Sequence, residues 1–311
     1  MLLNYVELFC LTNFSFLKAA SHPEECVERA AALGYRAIAI TDECSVAGVV
    51  RAHMAAKKHN IALIVGTHLW VEDLSATLIL LAHTREGYGD ISAAISRARN
   101  RAKKGEYLAI KNDIDALRDC TALMHCTHDT ETNAVAWLKQ TFGEHAALGV
   151  ALHRHAHDDA LIAHAEMLGA AHSVPRVALG HVRFHVRTRK AAHDVLTAIR
   201  LKKPLSECGA EVLQNSEPHL RSRARIAALY PLQWIMHSAE IAARCTFDLK
   251  TLAYEYPREI VPEAHTPTSW LRACTEAGAC VRYPSGTPEK VQALIEHELA
   301  LIAELKVEAF F

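Results

Sequence analysis

The chain has 311 residues, half of them hydrophobic and few aromatic, with 34 Lys and Arg against 35 Asp and Glu and a formal net charge of -1. That length can bury the core of one large α/β domain with an appendage and needs no covalent staple, while the scarcity of aromatics argues against an all-β protein. Near-neutral charge leaves no global field to draw nucleic acid, so any such contact must be local, and no apolar run approaches the roughly 20 residues of a membrane span. Nine cysteines without a CxxC pair, and an N-terminus without a basic segment, apolar stretch and cleavage site, predict a cytoplasmic protein with reduced thiols.

Residues 5–11 read as a first strand. Ser21, His22, Pro23 and two acids then open a helix that Gly34 stops. Strand 36–41, helix 46–59 and strand 61–65, ending at Gly66, follow. The apolar run 77–82, a helix over 88–103, strand 122–126, helix 131–142, strand 148–153, helix 158–171, strand 176–179 and helix 191–201 continue the alternation. Such repeated strand and helix pairs predict a parallel α/β sheet. A barrel is preferred to a doubly wound sheet because polar clusters recur after successive strands rather than at one switch point.

Beyond Pro204 the texture turns helical, with helices over 223–229, 232–245, 269–283 and 288–306, interrupted by Tyr254-Glu255-Tyr256-Pro257 and a Pro-bounded loop at 262–267. The expected domains are a barrel over 1–205 and a mostly helical segment over 206–311. An end on Phe310 and Phe311 without a polar tail reads as an element cut short.

The most informative stretch is Ala37-Ile38-Ala39-Ile40-Thr41-Asp42-Glu43, an apolar strand that ends in two carboxylates. It puts those acids at the C-terminal mouth of the sheet, where barrel enzymes keep their chemistry. Asp113-Ile114-Asp115 has an Asp-x-Asp spacing but reads as a pair of surface loop acids. Two local basic runs, Arg97, Arg99, Arg101, Lys103 and Lys104, and Arg187, Arg189 and Lys190 with Arg200, Lys202 and Lys203, are candidate phosphate contacts for DNA. They lack the interleaved aromatics of a single-strand platform, and solvated helix faces are the alternative. No GxGxxG, P-loop, Gly-x-Ser-x-Gly or HExxH motif is present. Among 20 histidines, most lie singly; His153, His155 and His157 form a run, of which His155 and His157 read as loop residues.

Several segments carry a family resemblance. Tyr5-Val6-Glu7-Leu8-Phe9-Cys10-Leu11-Thr12-Asn13-Phe14-Ser15-Phe16-Leu17, residues 40–50, Arg187-Thr188-Arg189-Lys190 with residues 194–200, His219-Leu220-Arg221-Ser222, residues 254–257 and residues 295–302 closely resemble the N-terminal part of the error-prone C-family DNA polymerases. These are paralogues of the bacterial polymerase III alpha subunit that serve in damage-induced mutagenesis. The resemblance implies a PHP (polymerase and histidinol phosphatase) domain, a distorted seven-stranded α/β barrel, followed by a helical connector and the start of the palm. In active relatives, His, Asp and Glu at the barrel mouth bind up to three divalent metals that activate water and clamp a phosphate.

At the corresponding positions here, the first His-x-His motif holds Phe9 and Leu11, which cannot ligate. The Asp-His motif is Asp42-Glu43. The Glu after the third strand is His68, which lacks a carboxylate's charge and bridging capacity. The late Asp-x-His is His181-Val182-Arg183, with His185 two residues further, and His153 is retained. Arg183 sets a permanent cation where a metal belongs. The expectation is a degenerate, metal-free cleft of hydrogen-bonded and ion-paired groups, for example Asp42 or Glu43 with Arg183. The alternative is one Zn or Mn ion on Asp42, Glu43, His153 and His185, with His68 and His181 nearby.

The acidic triad that would hold Mg in the full-length polymerase lies, by the resemblance, beyond the last helix, so this chain alone is not expected to polymerise. The implied partners are the rest of the polymerase polypeptide, DNA and other mutagenesis proteins. A stand-alone PHP-type phosphoesterase and a non-enzymatic remnant that binds polymerase partners are the competing readings.

Overall fold

The computed structural model describes residues 4–252 and 261–311, which form two compact units, Met1–Thr251 and Leu252–Phe311. In the first unit, α1 (Pro23–Ala32) opens where the Glu25 carboxylate accepts the His22 amide at 2.8 Å, with Pro23 in the first turn. β1 (Ala37–Ile40) is buried throughout and pairs in parallel with β2 (Ala62–Val71); between them, α2 (Val49–His59) ends on Asn60 in the left-handed region.

β2 does not stop at Gly66. It continues to Val71, turns over residues 72–75 and returns antiparallel as β3 (Ala76–Ala82). Gly66 serves close strand approach instead, since a Cβ there would lie 2.4 Å from the Leu80 carbonyl oxygen. After α3 (Arg85–Asn100), β4 (Cys120–Cys126) is also antiparallel to β3, so the expected all-parallel sheet is corrected. The physical reason is the tight turn at 72–75, which is too short for the crossover that parallel neighbours need. Parallel pairing resumes with α4 (Thr132–Phe142), β5 (Ala146–Ala151), α5 (Asp158–His172) and β6 (Arg176–Leu179).

Residues 5–11 form no regular strand, yet they act as the seventh stave. Glu7 bridges Ile38 of β1 and Cys10 bridges Val182 just beyond β6. The Leu11 amide donates to the Val182 carbonyl at 2.9 Å and the Val182 amide to the Phe9 carbonyl at 2.8 Å, which closes the curled six-stranded sheet. Glu7 is buried in this seam and accepts from the Phe9 amide, the Gly180 amide and Tyr5 Oη at 2.8–3.0 Å. Alternation sorts the strand residues: Ala37, Ala39, Ile79 and Leu81 fill the barrel interior with Phe9 and Leu11, while Ile38, Ile40, Leu78 and Leu80 pack under the helices.

α6 (Lys190–Leu201), α7 (Arg223–Leu229) and α8 (Leu232–Arg244) complete this unit, which therefore runs well past the boundary near 205 suggested by sequence texture. Its tie is Arg221, fully buried, which donates to the Leu152 carbonyl at 2.8 Å and whose own carbonyl accepts from Tyr35 Oη at 2.7 Å. Tyr230 Oη donates to the Leu179 carbonyl at 2.6 Å. In the second unit, α9 (Pro267–Arg282) and α10 (Glu289–Leu305) are joined by a two-pronged Arg272–Glu296 pair at 2.6 and 2.8 Å. The Tyr254-Glu255-Tyr256-Pro257 segment lies outside the described residues. All nine cysteines are free thiols, and no helix among the described residues is long and apolar enough to cross a membrane.

Candidate functional site

Strand ends of the barrel converge on a cavity of about 340 Å³ that includes Phe9, Leu11, Lys18, Glu43, His68, Tyr107, His125, His181, Arg183 and Arg200 in its wall. Phe9 is central. It stacks on His181 at 4.2 Å between centroids and meets His68 and His125 edge-on at 5.2 and 5.6 Å, so a hydrocarbon ring occupies the middle of the histidine cluster. Nδ1 of His68 donates to the Thr41 carbonyl at 2.7 Å, which fixes its tautomer, and Nε2 of His153 donates to the Gly180 carbonyl at 2.9 Å. Burial pushes the pKa of His68 and His125 down to about 4 and that of His153 to about 3; it carries His181 well below the usual range, with the Arg183 charge adding to the effect. These imidazoles are neutral at pH 7.

Asp42 is placed beside the mouth but turned from it. Its Oδ1 accepts from the Thr12 amide and Ser15 Oγ, and its Oδ2 from Thr12 Oγ1, all at 2.7 Å. Burial raises its pKa against the pull of those donors, and the carboxylate organises the loop at residues 12–15 instead of lining the cavity. Glu43 does face the cavity. Lys18 Nζ approaches it at 2.5 Å and Tyr107 Oη donates to it at 2.9 Å; burial is the largest influence and works to raise its pKa, but Lys18, His68 and Tyr107 together lower it. The expected pairing of Asp42 or Glu43 with Arg183 is therefore not made, because the 12–18 loop folds over the strand end and brings Lys18 and Ser15 closer.

Arg183 lines the cavity with no side-chain hydrogen bond or ion pair among the described residues, and burial, followed by repulsion from Arg200, lowers its pKa. His185 sits at the start of α1, with Nδ1 2.7 Å from Ser21 Oγ and 3.9 Å from Glu25. His153 lines an adjoining cavity of about 410 Å³ with His125, His181, His155 and His157. The set Asp42, Glu43, His153 and His185 is thus not gathered around one point, and the described residues hold no group of three or more His, Cys, Asp or Glu able to bind a metal ion. The sequence reading missed Lys18, Tyr107, His125 and His193 at the mouth, and had Arg200 only as part of a basic run. His125 carried a signal, its place near the C-terminal end of a strand like the other mouth residues; Lys18 carried none.

The basic runs are largely internal clamps. Arg101 grips Asp113 through two bonds of 2.7 and 2.9 Å, and Arg97 adds its Nε at 3.5 Å. Asp113, expected in a surface loop, is fully buried, because those guanidiniums and the Ile110 amide surround it. Arg99 donates to the Glu43 and Cys44 carbonyls and lies 5.5 Å over Tyr107. Arg187 pairs with Glu217 at 2.8 Å, Arg189 with Glu25, Lys190 with Asp194 at 2.5 Å and Lys203 with Glu211 at 3.0 Å. Lys103, Lys104 and Lys202 are exposed without such partners.

Residues 7–174 match the PHP domain family. The chain belongs to the PHP domain family. The PHP match runs from the first stave to the end of α5, so β6 and Arg183 lie beyond it. An error-prone DNA polymerase of Dechloromonas aromatica is 47% identical over 313 residues, covering 99% of this chain and 30% of that protein. One from Pseudomonas aeruginosa is 45% identical over 307 residues with the same coverage. This PHP chain therefore spans about 30% of the length of the curated relatives it matches. Among solved structures, an amidohydrolase from Chromobacterium violaceum matches 58% of this chain and 88% of its own at 15% identity and a TM-score of 0.44.

Proposed function

We propose that this chain is the PHP-bearing part of an error-prone DNA polymerase used in damage-induced mutagenesis and translesion synthesis, and that its barrel is a metal-free scaffold. The carrying observation is the Phe9 and His181 stack with Arg183 in the same cavity. A ring that cannot ligate takes the centre of the cluster, and a permanent cation faces the space that divalent ions would share. Support also comes from Asp42, whose two carboxylate oxygens are already taken up by Thr12 and Ser15. The residues present do not fit a metal cluster.

On this reading, polymerisation belongs to palm carboxylates and Mg in the longer polypeptide, with DNA and other mutagenesis proteins as its partners, and the barrel supports them. The test is metal analysis of the purified chain after dialysis with Zn or Mn, beside hydrolysis of a generic phosphodiester. Substoichiometric metal and no turnover are expected. A tightly held ion with turnover that His68→Ala abolishes would replace the scaffold by a phosphoesterase. Primer extension across an abasic site by the full-length protein with Mg tests the polymerase assignment.

A further inference from the structure

The mouth cavity is more cationic than its own carboxylate can balance. Lys18, Arg183 and Arg200 face it, and the single acid opposite, Glu43, already holds Lys18 and Tyr107. His68, His125 and His193 are held down to about 4 by burial and add no counter-charge or charge at pH 7. Two positive charges are left without a partner.

Arg183 is the decisive group. Its side chain is partly buried in the cavity wall, and its guanidinium meets no acceptor among the described residues, so the donor fork is open to whatever enters the cavity. The backbone beneath it is pinned, with its amide donating to the Pro218 carbonyl at 3.0 Å and its carbonyl accepting from the Ala20 amide at 2.8 Å. Beside it, the rings of His125 and His181 stand 4.9 Å apart, and neither makes a hydrogen bond to a described residue. Each neutral imidazole has one N–H to donate.

We infer that the barrel mouth binds a phosphate dianion directly on protein groups, with no metal, and does not turn it over. Arg183 presents the planar donor fork that matches two phosphate oxygens, Arg200 supplies the second charge from α6, and the His125 and His181 N–H groups are available for remaining oxygens. The charge excess equals that of a dianion, which favours phosphate or the terminal group of a phosphate monoester over a single carboxylate. A cavity of about 340 Å³ with half-exposed Trp70 in its wall leaves room for the organic part of a monoester. The inference rests on the metal-free reading of the same mouth.

The experiment is calorimetric titration of inorganic phosphate, then of a deoxynucleoside monophosphate, into the full chain at low ionic strength with EDTA present. One saturable site is expected. Arg183→Gln and the exposed Arg200→Gln should each weaken it by about tenfold or more, the scale of one charge-assisted contact, while Lys58→Gln leaves it unchanged. Arg200→Gln keeps the test decisive should Arg183→Gln disturb the fold. Tighter nucleotide than phosphate binding would make a monoester the ligand, and equal binding would make it free phosphate. Absence of binding with or without added Mn overturns the anion site and leaves the metal-free reading standing. Binding that requires Mn overturns both, and saturable binding that neither arginine variant alters overturns this assignment.

Discussion

Phe9 lies flat on His181, with ring planes 10° from parallel and the Phe9 side chain fully buried. In a position where the family resemblance implies a ligand, the protein holds a packing residue that ties the first stave to the chain after β6. Truncating it removes both the ring contacts and the filler of the barrel's upper interior. Phe9→Ala should lower unfolding free energy by about 3–5 kcal/mol, read by urea denaturation. Phe9→His should gain no Zn or Mn affinity, because Asp42 stays committed to Thr12 and Ser15 and Arg183 keeps its charge in the cavity; tight ion binding by this variant would refute that account.

Gly180 is required by the buried Glu7 carboxylate. Its amide donates to Glu7 at 2.9 Å, and a Cβ would lie 2.1 Å from the other carboxylate oxygen. Neither backbone nor acid can retreat, since Glu7 also holds Phe9 and Tyr5. Gly180→Ala should cost about 3 kcal/mol or more, and a thermal midpoint equal to that of the parent would show that the seam is looser than described.

The neutral histidines of the mouth link stability to pH. For an imidazole whose pKa is lowered on folding, stability is full above the unfolded value near 6.5 and is lost as pH falls toward the folded value, because the unfolded chain binds the proton first. With His68 and His125 near 4, unfolding free energy should fall between pH 7 and pH 5 by up to about 1 kcal/mol per pH unit for each. His125→Gln should make that slope shallower, and an unchanged slope would rule out its contribution.

Asp113 gives the complementary acid dependence. The two-pronged Arg101 bond lowers its pKa, so its stabilising effect is complete above the ordinary carboxylate range and disappears as pH falls below it. Asp113→Asn should destabilise the chain at pH 7 and flatten the acid limb of the stability profile near pH 3 to 4. Equal acid limbs in the parent and the variant would argue against this pair as its source.

Local chemistry determined a good deal by itself. The alternation of apolar runs with Gly, Pro and polar caps sets β6 and α7 at the residues where they occur, and at the positions that the family resemblance implies for the first and last motifs the sequence holds Phe9 and Leu11 and then Arg183. Tertiary structure alone decided the rest. The antiparallel run from β2 to β4 depends on a turn whose helix-free length is not visible in hydrophobic period. Charge partners depend on it still more: Lys18 reaches Glu43, Ser15 reaches Asp42, Arg189 reaches Glu25, each across a loop or from another element. Periodicity is a property of neighbouring residues, whereas an ion pair forms where the folded chain brings two ends of side chains within about 4 Å, so the same arginines read only as basic runs in sequence and as partners of specific acids and carbonyls in the fold.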